Sequence, residues 1–249
     1  RRNSRTIIGA PSLLGRSPRL DTFAYSHSTM PHRIFVVDDH PVMRRGYAFL
    51  INAEMDLEVC GEAESAPDAL ERIPEATPDL VIVDLTLKGM GGLELIKRLQ
   101  THHADLPVLV ISMHDESLYA DRALRAGARG YIMKSEVESV VVQAIRRILK
   151  GGVYVSDELS TKILLQYTGA TPGEGDSPLD QLSDRELEVF EYMGRGFTTR
   201  EIAEKLALSP KTIDSYRTRV KEKLAIESNA ELIRHAVLWV ESQDRKAPS

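Results

Sequence analysis

The stretch Leu80-Val81-Ile82-Val83-Asp84-Leu85 places one carboxylate in an otherwise apolar run. A short continuous apolar run is typical of a strand that is buried on both faces, as the strands of a parallel sheet are. A buried strand gains nothing from an internal acid, so we expect Asp84 at its carboxyl end, the edge at which open α/β sheets bind ligands. The alternative is that Asp84 merely begins a turn, where Asp is common.

A second apolar run, Ile34-Phe35-Val36-Val37, is followed by Asp38 and Asp39. Two such strands would bring three carboxylates to one sheet edge, where they would repel one another and raise each other's pKa. A hard cation resolves this repulsion, and oxygen ligands that share a phosphate suit Mg²⁺. The imidazole of His40 is not expected among the ligands, because Mg²⁺ prefers oxygen. The alternative is a turn into a helix that begins at Pro41.

Two further apolar runs end in polar side chains, Ser112 after residues 106–111 and Lys134 after residues 130–133. Taken alone, a serine and a lysine at strand ends are ordinary boundary residues. Together with three carboxylates they suit phosphoryl transfer to a carboxylate. The metal and the lysine would neutralise the phosphoryl oxygens, the hydroxyl would donate to one of them, and Asp84 would be the nucleophile.

Residues 33–150 resemble the receiver domain of bacterial two-component response regulators. The segments that carry this resemblance are Asp38-Asp39-His40-Pro41, Asp84-Leu85-Thr86, Gly89-Met90-Gly91-Gly92-Leu93, Ile111-Ser112 and Gly127-Ala128-Arg129-Gly130-Tyr131-Ile132-Met133-Lys134. The resemblance implies an α/β fold, a flavodoxin-like, doubly wound sheet of five parallel strands. Five rounds of strand and helix along the chain independently favour a parallel sheet with right-handed crossovers.

The same resemblance implies a set of site residues. A sensor histidine kinase would phosphorylate Asp84, and Mg²⁺ would be held by Asp39, Asp84 and the backbone carbonyl of Thr86, with Asp38 assisting through water. The residues that would register the phosphoryl group are Ser112, Lys134 and the switch aromatic Tyr131. Thr86 and His114 stand where the family tunes dephosphorylation.

Composition limits the remaining possibilities. The 249 residues carry a net charge of -5, so a nucleic-acid-binding function requires a local basic patch. No apolar run approaches the roughly 18 residues that a membrane span needs. The single cysteine, Cys60, excludes an internal disulfide framework and fits a reducing compartment, so we expect a cytoplasmic protein without a membrane partner.

The chain divides into four parts by pattern. Residues 1–31, rich in Arg and Ser, are predicted to be a disordered extension, although their composition also fits an organelle transit peptide. Residues 32–150 form the predicted receiver domain. Residues 151–178 are a linker with one short helix, and its Gly- and Pro-rich end predicts loosely tethered domains. Residues 179–249 are helical in pattern throughout.

The helical part has the signals of a helix-turn-helix. Ser183 and Glu186 form a capping box, a short helix follows at residues 199–206, and Ser209-Pro210 begins a third helix that runs to residue 224. The alternative is a generic helical bundle. Between Lys211 and Lys223 there are five basic residues and two acids, whereas residues 180–193 carry five acids against Arg185. Basic charge focused on one helix is what a DNA reader needs.

This part resembles the LuxR-type helix-turn-helix of NarL/FixJ-class response regulators, with the motif proper at residues 199–218. The matching residues are Leu182-Ser183-Asp184-Arg185-Glu186, Gly196, Glu201-Ile202-Ala203, Leu206, Ser209-Pro210-Lys211-Thr212-Ile213 and Lys223-Leu224. The predicted DNA-binding residues are Lys211, Thr212, Asp214, Ser215, Arg217, Thr218, Arg219 and Lys221. Asp214 stands where some members have a base-reading Lys, so the base preference of another member does not transfer.

The last helix, about residues 229–240, suggests how two copies meet. Helical spacing predicts a buried face made of Leu232, Ile233, Ala236, Val237 and Val240. Leu238 then points away from that face and Trp239 lies at its edge. Because two-fold dimers are frequent among DNA readers and the family pairs its effector domains through this helix, we expect both residues in a dimer contact.

The combined prediction is a phosphorylation-activated transcriptional regulator of a two-component system. Its expected partners are double-stranded DNA, a sensor histidine kinase, a second copy of the chain and RNA polymerase. It is not expected to be an enzyme beyond self-dephosphorylation. One alternative is a regulator that binds DNA without phosphorylation. The other is a Mg²⁺-dependent aspartyl-phosphate hydrolase fused to a DNA-binding module, which would need a second Asp where Thr86 stands.

Overall fold

The computed structural model of the protein describes residues 30–114, 116–168 and 178–244. The predicted disordered extension therefore lies, up to residue 29, outside the described residues. Residues 169–177, the Gly- and Pro-rich end of the predicted linker, also lie outside them. None of the helices in the described ranges has the length and apolar character of a membrane span.

A sheet of five parallel strands forms the centre of the first part, in the order β2-β1-β3-β4-β5. The strands are β1 (His32–Val37), β2 (Leu57–Ala63), β3 (Leu80–Val83), β4 (Val108–Ser112) and β5 (Gly130–Met133). The helices between and after them are α1 (Pro41–Asn52), α2 (Ala66–Ala76), α3 (Gly92–His102), α4 (Glu116–Ala126) and α5 (Val137–Leu149). The predicted flavodoxin-like, doubly wound fold is confirmed.

Alternating residues of the central strands point into two separate cores. Phe35, Val37, Val81 and Val83 pack on the face covered by α2, α3 and α4. Ile34, Val36, Leu80 and Ile82 pack on the face covered by α1 and α5. Side chains that alternate between the two faces of a doubly covered sheet are all buried. For this reason residues 34–37 of β1 and all residues of β3 are apolar.

The strand order reverses at β1, which pairs with β2 on one side and β3 on the other. Val37 and Val83 are register partners, so the residues that follow them, Asp38 and Asp84, leave the sheet side by side. Such a switch point leaves a crevice at the carboxyl ends of the strands, which is where doubly wound sheets bind ligands.

The loop after Asp84 returns closely against the backbone of that residue. Gly92, the first residue of α3, lies where a Cβ atom would overlap the carbonyl oxygen of Asp84 and come within 2.7 Å of Leu85 Cα. Gly89, earlier in the loop, has a φ of 76°, a left-handed conformation that favours glycine. The glycines of this segment thus allow α3 to begin directly beside the candidate site.

The remainder of the described chain is helical. It comprises α6 (Asp157–Thr168), a short 3₁₀ turn (Pro178–Gln181), α7 (Asp184–Gly194), α8 (Thr199–Lys205), α9 (Pro210–Leu224) and α10 (Asn229–Asp244). The predicted capping box of Ser183 and Glu186 is confirmed, and Thr198 and Glu201 form a second one at the start of α8. The helix expected within the linker is α6, which continues through Thr168.

The last helix differs from its prediction at two residues. Leu232, Ala236 and Val240 are buried as predicted, but Val237 is only partly buried and Ile233 is 43% exposed. Because Ile233 lies beside Leu232 on the helix, it is turned toward the edge of the apolar face, and its side chain is left partly in solvent. Leu238 is 57% exposed, and Trp239 packs against Phe190 of α7 with ring centroids 5.8 Å apart.

The helical part also contacts the sheet part, contrary to the loose tethering that the linker predicts. Pro31–Ser249 forms one unit, and Asp184 of α7 pairs with Lys97 of α3 at 2.9 Å and with Arg122 of α4 at 3.2 Å. Linker composition reports only the flexibility of the connecting chain. The contact instead follows from charge, because the acidic α7 faces basic side chains on α3 and α4.

The role of Gly92 gives a stability prediction. Gly92→Ala should lower the free energy of unfolding by about 1–3 kcal/mol, because the added methyl group overlaps the Asp84 backbone. Urea denaturation measures this. Gly46→Ala is the matched control, since nothing lies within 4 Å of its added Cβ, and it should stabilise α1 by about 0.5–1 kcal/mol. A Gly92→Ala protein as stable as the wild type would contradict the close approach.

Candidate functional site

A buried carboxylate, Asp84, lies at the carboxyl end of β3. Its Oδ2 accepts a hydrogen bond from Lys134 Nζ at 2.7 Å, and its Oδ1 accepts one from the backbone N–H of Thr86 at 3.2 Å. The residue is only 2% exposed. Burial raises the pKa of Asp84 and the neighbouring Asp38 raises it further, whereas Lys134 opposes this change by favouring the charged form.

Lys134, which follows β5, bridges two acids rather than one. Its ammonium lies 2.8 Å from Asp38 Oδ2 and 2.7 Å from Asp84 Oδ2. Burial alone would lower the pKa of Lys134, but the two carboxylates raise it above its ordinary value. Lys134 is therefore a fixed positive charge between the ends of β1 and β3.

The acids at this edge form a group that could hold a cation. Ligand atoms of Asp38, Asp39, Asp84 and His40 all lie within 4.8 Å of one another. Oδ1 of Asp39 is buried and accepts no well-directed hydrogen bond. Three carboxylates face one ammonium here, so the excess negative charge fits a hard divalent cation.

His40 belongs to this group, although the sequence analysis leaves it out of the site. Its Nδ1 lies 2.7 Å from Asp39 Oδ1 and 3.3 Å from Asp38 Oδ1. The only signal in the sequence is that His40 directly follows the two acids. The preference of Mg²⁺ for oxygen argues against a ligand role but does not prevent the imidazole from contacting the acids.

Next to the acids, the structure brings Ser112, His114 and Tyr131 together with Thr86. Ser112 Oγ accepts a hydrogen bond from the His114 backbone N–H at 3.2 Å, and the Tyr131 hydroxyl donates to the His114 carbonyl at 2.8 Å. Thr86 Oγ1 lies 3.0 Å from His114 Nε2. Two of the three predicted phosphate-sensing residues, Ser112 and Tyr131, thus contact the segment that follows β4.

A residue of the helical part completes this cluster. Glu191 of α7 lies with its Oε2 2.9 Å from His114 Nδ1 and accepts a hydrogen bond from the Tyr119 hydroxyl at 2.8 Å. Burial raises the pKa of Glu191, but His114, Tyr119 and Arg195 together outweigh this effect and bring the pKa to about 2. Burial lowers the pKa of His114, yet Glu191 raises it above its ordinary value. Neither Glu191 nor Tyr119 was predicted from the sequence.

The helix-turn-helix forms a second candidate site. Ile213 and Val220 of α9 are fully buried against the domain core, which turns the opposite side of the helix to solvent. Five of the predicted DNA-binding residues are exposed, and the other three are partly buried. The exposed ones are Lys211, Asp214, Ser215, Thr218 and Arg219, and the partly buried ones are Thr212, Arg217 and Lys221.

Arg217 differs from the other predicted DNA-binding residues in its contacts. Its Nη1 donates to Thr199 Oγ1 of α8 at 2.7 Å, and its side chain is 20% exposed. It therefore ties the two helices of the motif together. The exposed side of α9, opposite Ile213 and Val220, includes Ser215 and Thr218, whose side chains are shorter than that of Arg217. Their hydroxyls donate to backbone carbonyls one turn earlier in the helix.

Two protein families match separate parts of the chain. Residues 34–146 match the response regulator receiver domain, and residues 180–236 match the bacterial regulatory proteins of the luxR family. The first match contains the acid cluster and Lys134. The second contains the helix-turn-helix.

Several characterised proteins are similar over almost their whole length. Transcriptional activator protein ExaE of Pseudomonas putida is 39% identical over 205 residues, 82% of this chain and 95% of ExaE. Response regulator GacA of Pseudomonas aeruginosa is 35% identical over 210 residues, 83% of this chain and 97% of GacA. A solved structure of RcsB from Salmonella enterica serovar Typhimurium is also similar; it was solved bound to promoter rprA in the presence of the phosphomimetic BeF3-. Its TM-score is 0.57 and its sequence identity is 25%, and the match covers 83% of this chain and 98% of the RcsB chain.

Proposed function

Because this chain belongs to the two-component response regulators that join a receiver domain to a LuxR-type DNA-binding domain, we propose that phosphorylation of Asp84 controls its binding to promoter DNA. The observation that carries the proposal is the position of Asp84, at the sheet edge between the Lys134 ammonium and the acid group. The proposed receiver domain spans residues 32–150, and the proposed DNA-binding domain spans residues 179–249.

The proposed reaction is phosphoryl transfer from a histidine of a sensor kinase. An oxygen of Asp84 attacks phosphorus, the P–N bond of the phosphohistidine breaks, and the electron pair leaves with the imidazole. Lys134 neutralises charge on the phosphoryl oxygens, and the Ser112 hydroxyl donates to one of them. Asp38, Asp39, Asp84 and the Thr86 carbonyl would hold Mg²⁺, which when bound offsets the negative charge of the phosphoryl group. Tyr131 responds to the movement of the loop after β4 that phosphorylation causes, through the hydrogen bond that its hydroxyl donates to the His114 carbonyl.

The same residues support slow self-dephosphorylation. Water attacks phosphorus, the P–O bond to Asp84 breaks, and inorganic phosphate leaves while the carboxylate is restored. Thr86 and His114, which contact each other at 3.0 Å, border the phosphoryl position and set how readily water reaches it. No further enzymatic activity is proposed.

The DNA-binding half of the proposal rests on α9. Its outward row of polar side chains is flanked by basic ones, and it is long enough, at 15 residues, to lie in a major groove. RcsB, which is similar over most of its length, has been solved bound to a promoter in the presence of a phosphomimetic, and this supports the same pairing of functions here. The protein would act in the cytosol, with RNA polymerase as a further partner.

The phosphoacceptor assignment predicts a specific labelling pattern. Incubation of the full chain with acetyl phosphate and Mg²⁺ should add one phosphoryl group to the wild type and none to Asp84→Asn. Intact-mass spectrometry measures the addition. Asp39→Ala should also block labelling, because it removes a proposed ligand of Mg²⁺. Removal of Mg²⁺ should do the same, because nothing then offsets the negative charge of the phosphoryl group. Asp105→Asn, a change at an exposed acid outside the site, is the control and should label normally. Undiminished labelling of Asp84→Asn would contradict the assignment.

We predict that variants of the DNA interface change either the affinity for all duplexes or the preferred sequence. Lys221→Ala should weaken binding to all duplexes about equally and lower the log–log salt slope by about one unit, because it removes a phosphate contact. Ser215→Ala or Thr218→Ala should instead change the preferred sequence, with a cost of about 1–3 kcal/mol on the preferred site. Fluorescence anisotropy against specific and random duplexes distinguishes them. Lys150→Ala, a change at an exposed lysine directly after α5, should bind DNA like the wild type.

We further propose that Leu238 and Trp239 contribute to the contact between two copies on DNA. Leu238→Lys should leave binding to a single half-site intact and abolish cooperative binding to a paired site, because the exposed apolar side chain is replaced by a charge. Gel-shift titration measures the cooperativity. Met55→Lys, at a fully exposed residue of the receiver part, is the control. Unchanged cooperativity of Leu238→Lys would place the contact elsewhere.

A further inference from the structure

A buried polar cluster joins the two domains directly beside the phosphoacceptor loop. His114 and Tyr119 come from the receiver domain. Glu191 comes from α7 of the DNA-binding domain, and Arg195 directly follows that helix. Glu191 Oε2 receives hydrogen bonds from His114 and Tyr119, and Glu191 Oε1 receives one from Arg195 Nη2 at 2.8 Å. The His114 and Tyr119 rings stack with centroids 4.3 Å apart.

The burial of this cluster makes its geometry specific. The side chains of His114 and Glu191 are 8% and 6% exposed. Burying a carboxylate is costly unless charged or polar donors satisfy its oxygens, and here both oxygens have donors. Glu191 therefore has one well-determined position, and the imidazole of His114 is fixed by it.

From His114 the contacts continue to the phosphoacceptor. Nε2 of His114 lies 3.0 Å from Thr86 Oγ1, and the Thr86 N–H donates to Asp84 Oδ1 at 3.2 Å. The main chain of His114 is held as well, through Ser112 Oγ and the Tyr131 hydroxyl. The Glu191 carboxylate of the DNA-binding domain is thus connected to Asp84 through two residues, His114 and Thr86.

The acceptor and its neighbours leave little free volume. Asp84, Ser112 and His114 are all buried in the docked chain. A phosphoryl group on Asp84 needs space for three oxygens beside Thr86, whose N–H already donates to Asp84 Oδ1. Because the His114 imidazole lies against Thr86 Oγ1, it restricts how the Thr86 loop can rearrange around that group.

We propose that Glu191 is a positioning residue for the phosphoryl-accepting reaction: it holds His114 against Thr86 and so slows phosphorylation of Asp84 while the two domains are docked. The inference rests on the proposed function, because it assumes that Asp84 is the acceptor. By thermodynamic linkage, a phosphoryl group that displaces Thr86 or His114 weakens the Glu191 contact in return and loosens α7 from the receiver domain.

The test compares rates of phosphorylation of the full chain by acetyl phosphate with Mg²⁺, followed on phosphate-affinity gels. Glu191→Gln keeps the shape of the side chain but removes the charge, and should speed phosphorylation on the order of tenfold, the effect of losing one charge-assisted hydrogen bond. Asp184→Asn is the matched control on the same helix. It removes the pairs with Lys97 and Arg122 without touching His114, and should change the rate far less.

A double-mutant cycle separates positioning from general support of the interface. In a His114→Ala background, Glu191→Gln should have no further effect, because Glu191 then has no imidazole to hold. Tyr119→Phe removes one donor to Glu191 and should accelerate the reaction in the same direction by a smaller factor, which provides a second variant should Glu191→Gln fold poorly. Thermal melting of each variant verifies folding.

Three results would overturn the inference while leaving the proposed function intact: Glu191→Gln phosphorylated at the wild-type rate, Asp184→Asn accelerated as strongly as Glu191→Gln, or Glu191→Gln equally effective with and without His114. A wild-type chain that takes no phosphoryl group at Asp84 would instead overturn the proposed function, and the positioning role with it.

Discussion

The ammonium of Lys134, held between the buried carboxylates of Asp38 and Asp84, is the interaction on which the site depends. Two acids cannot be buried side by side at a sheet edge without a compensating charge, because their repulsion and desolvation would favour protonation. Lys134 lies within 2.8 Å of one and 2.7 Å of the other. One ammonium does not balance three carboxylates, since Asp39 belongs to the same group. The remaining negative charge would favour a hard cation at this edge, as the proposed phosphoryl transfer requires.

The parallel sheet makes this interaction possible. Three strands that are not neighbours in sequence end at the same edge, and the pairing of Val37 with Val83 aligns the acids that follow them. Lys134 follows β5 and reaches back across β4 to both acids. Gly92 permits the next helix to begin against the Asp84 backbone, which restricts the loop that carries Thr86. The positions of the strand ends, rather than any one long-range contact, therefore bring the side chains of the site together.

Much of this was predictable from local sequence signals. Apolar runs that end in Asp, Ser and Lys predict both the buried strands and the edge at which their polar residues gather, and the cap of Ser183 and the basic charges of α9 predict the helices of the DNA-binding part. The contact of His114 with Glu191 was not predictable, because it depends on how two separately folded parts meet. Ile233 was predicted as buried from helical spacing, which does not determine where the edge of a packed face lies. Linker composition likewise carried no information about the ion pairs of Asp184.

The most direct test of the central claim locates the phosphoryl group chemically. Borohydride reduction of the phosphorylated full chain converts an aspartyl phosphate into homoserine, and peptide mass spectrometry identifies the modified residue. If Asp84 is the phosphoacceptor, we expect homoserine at residue 84 alone, and only after treatment with a phosphodonor and Mg²⁺. Homoserine at Asp38 or Asp39 with none at residue 84, or phosphate retained on a serine or histidine, would contradict it.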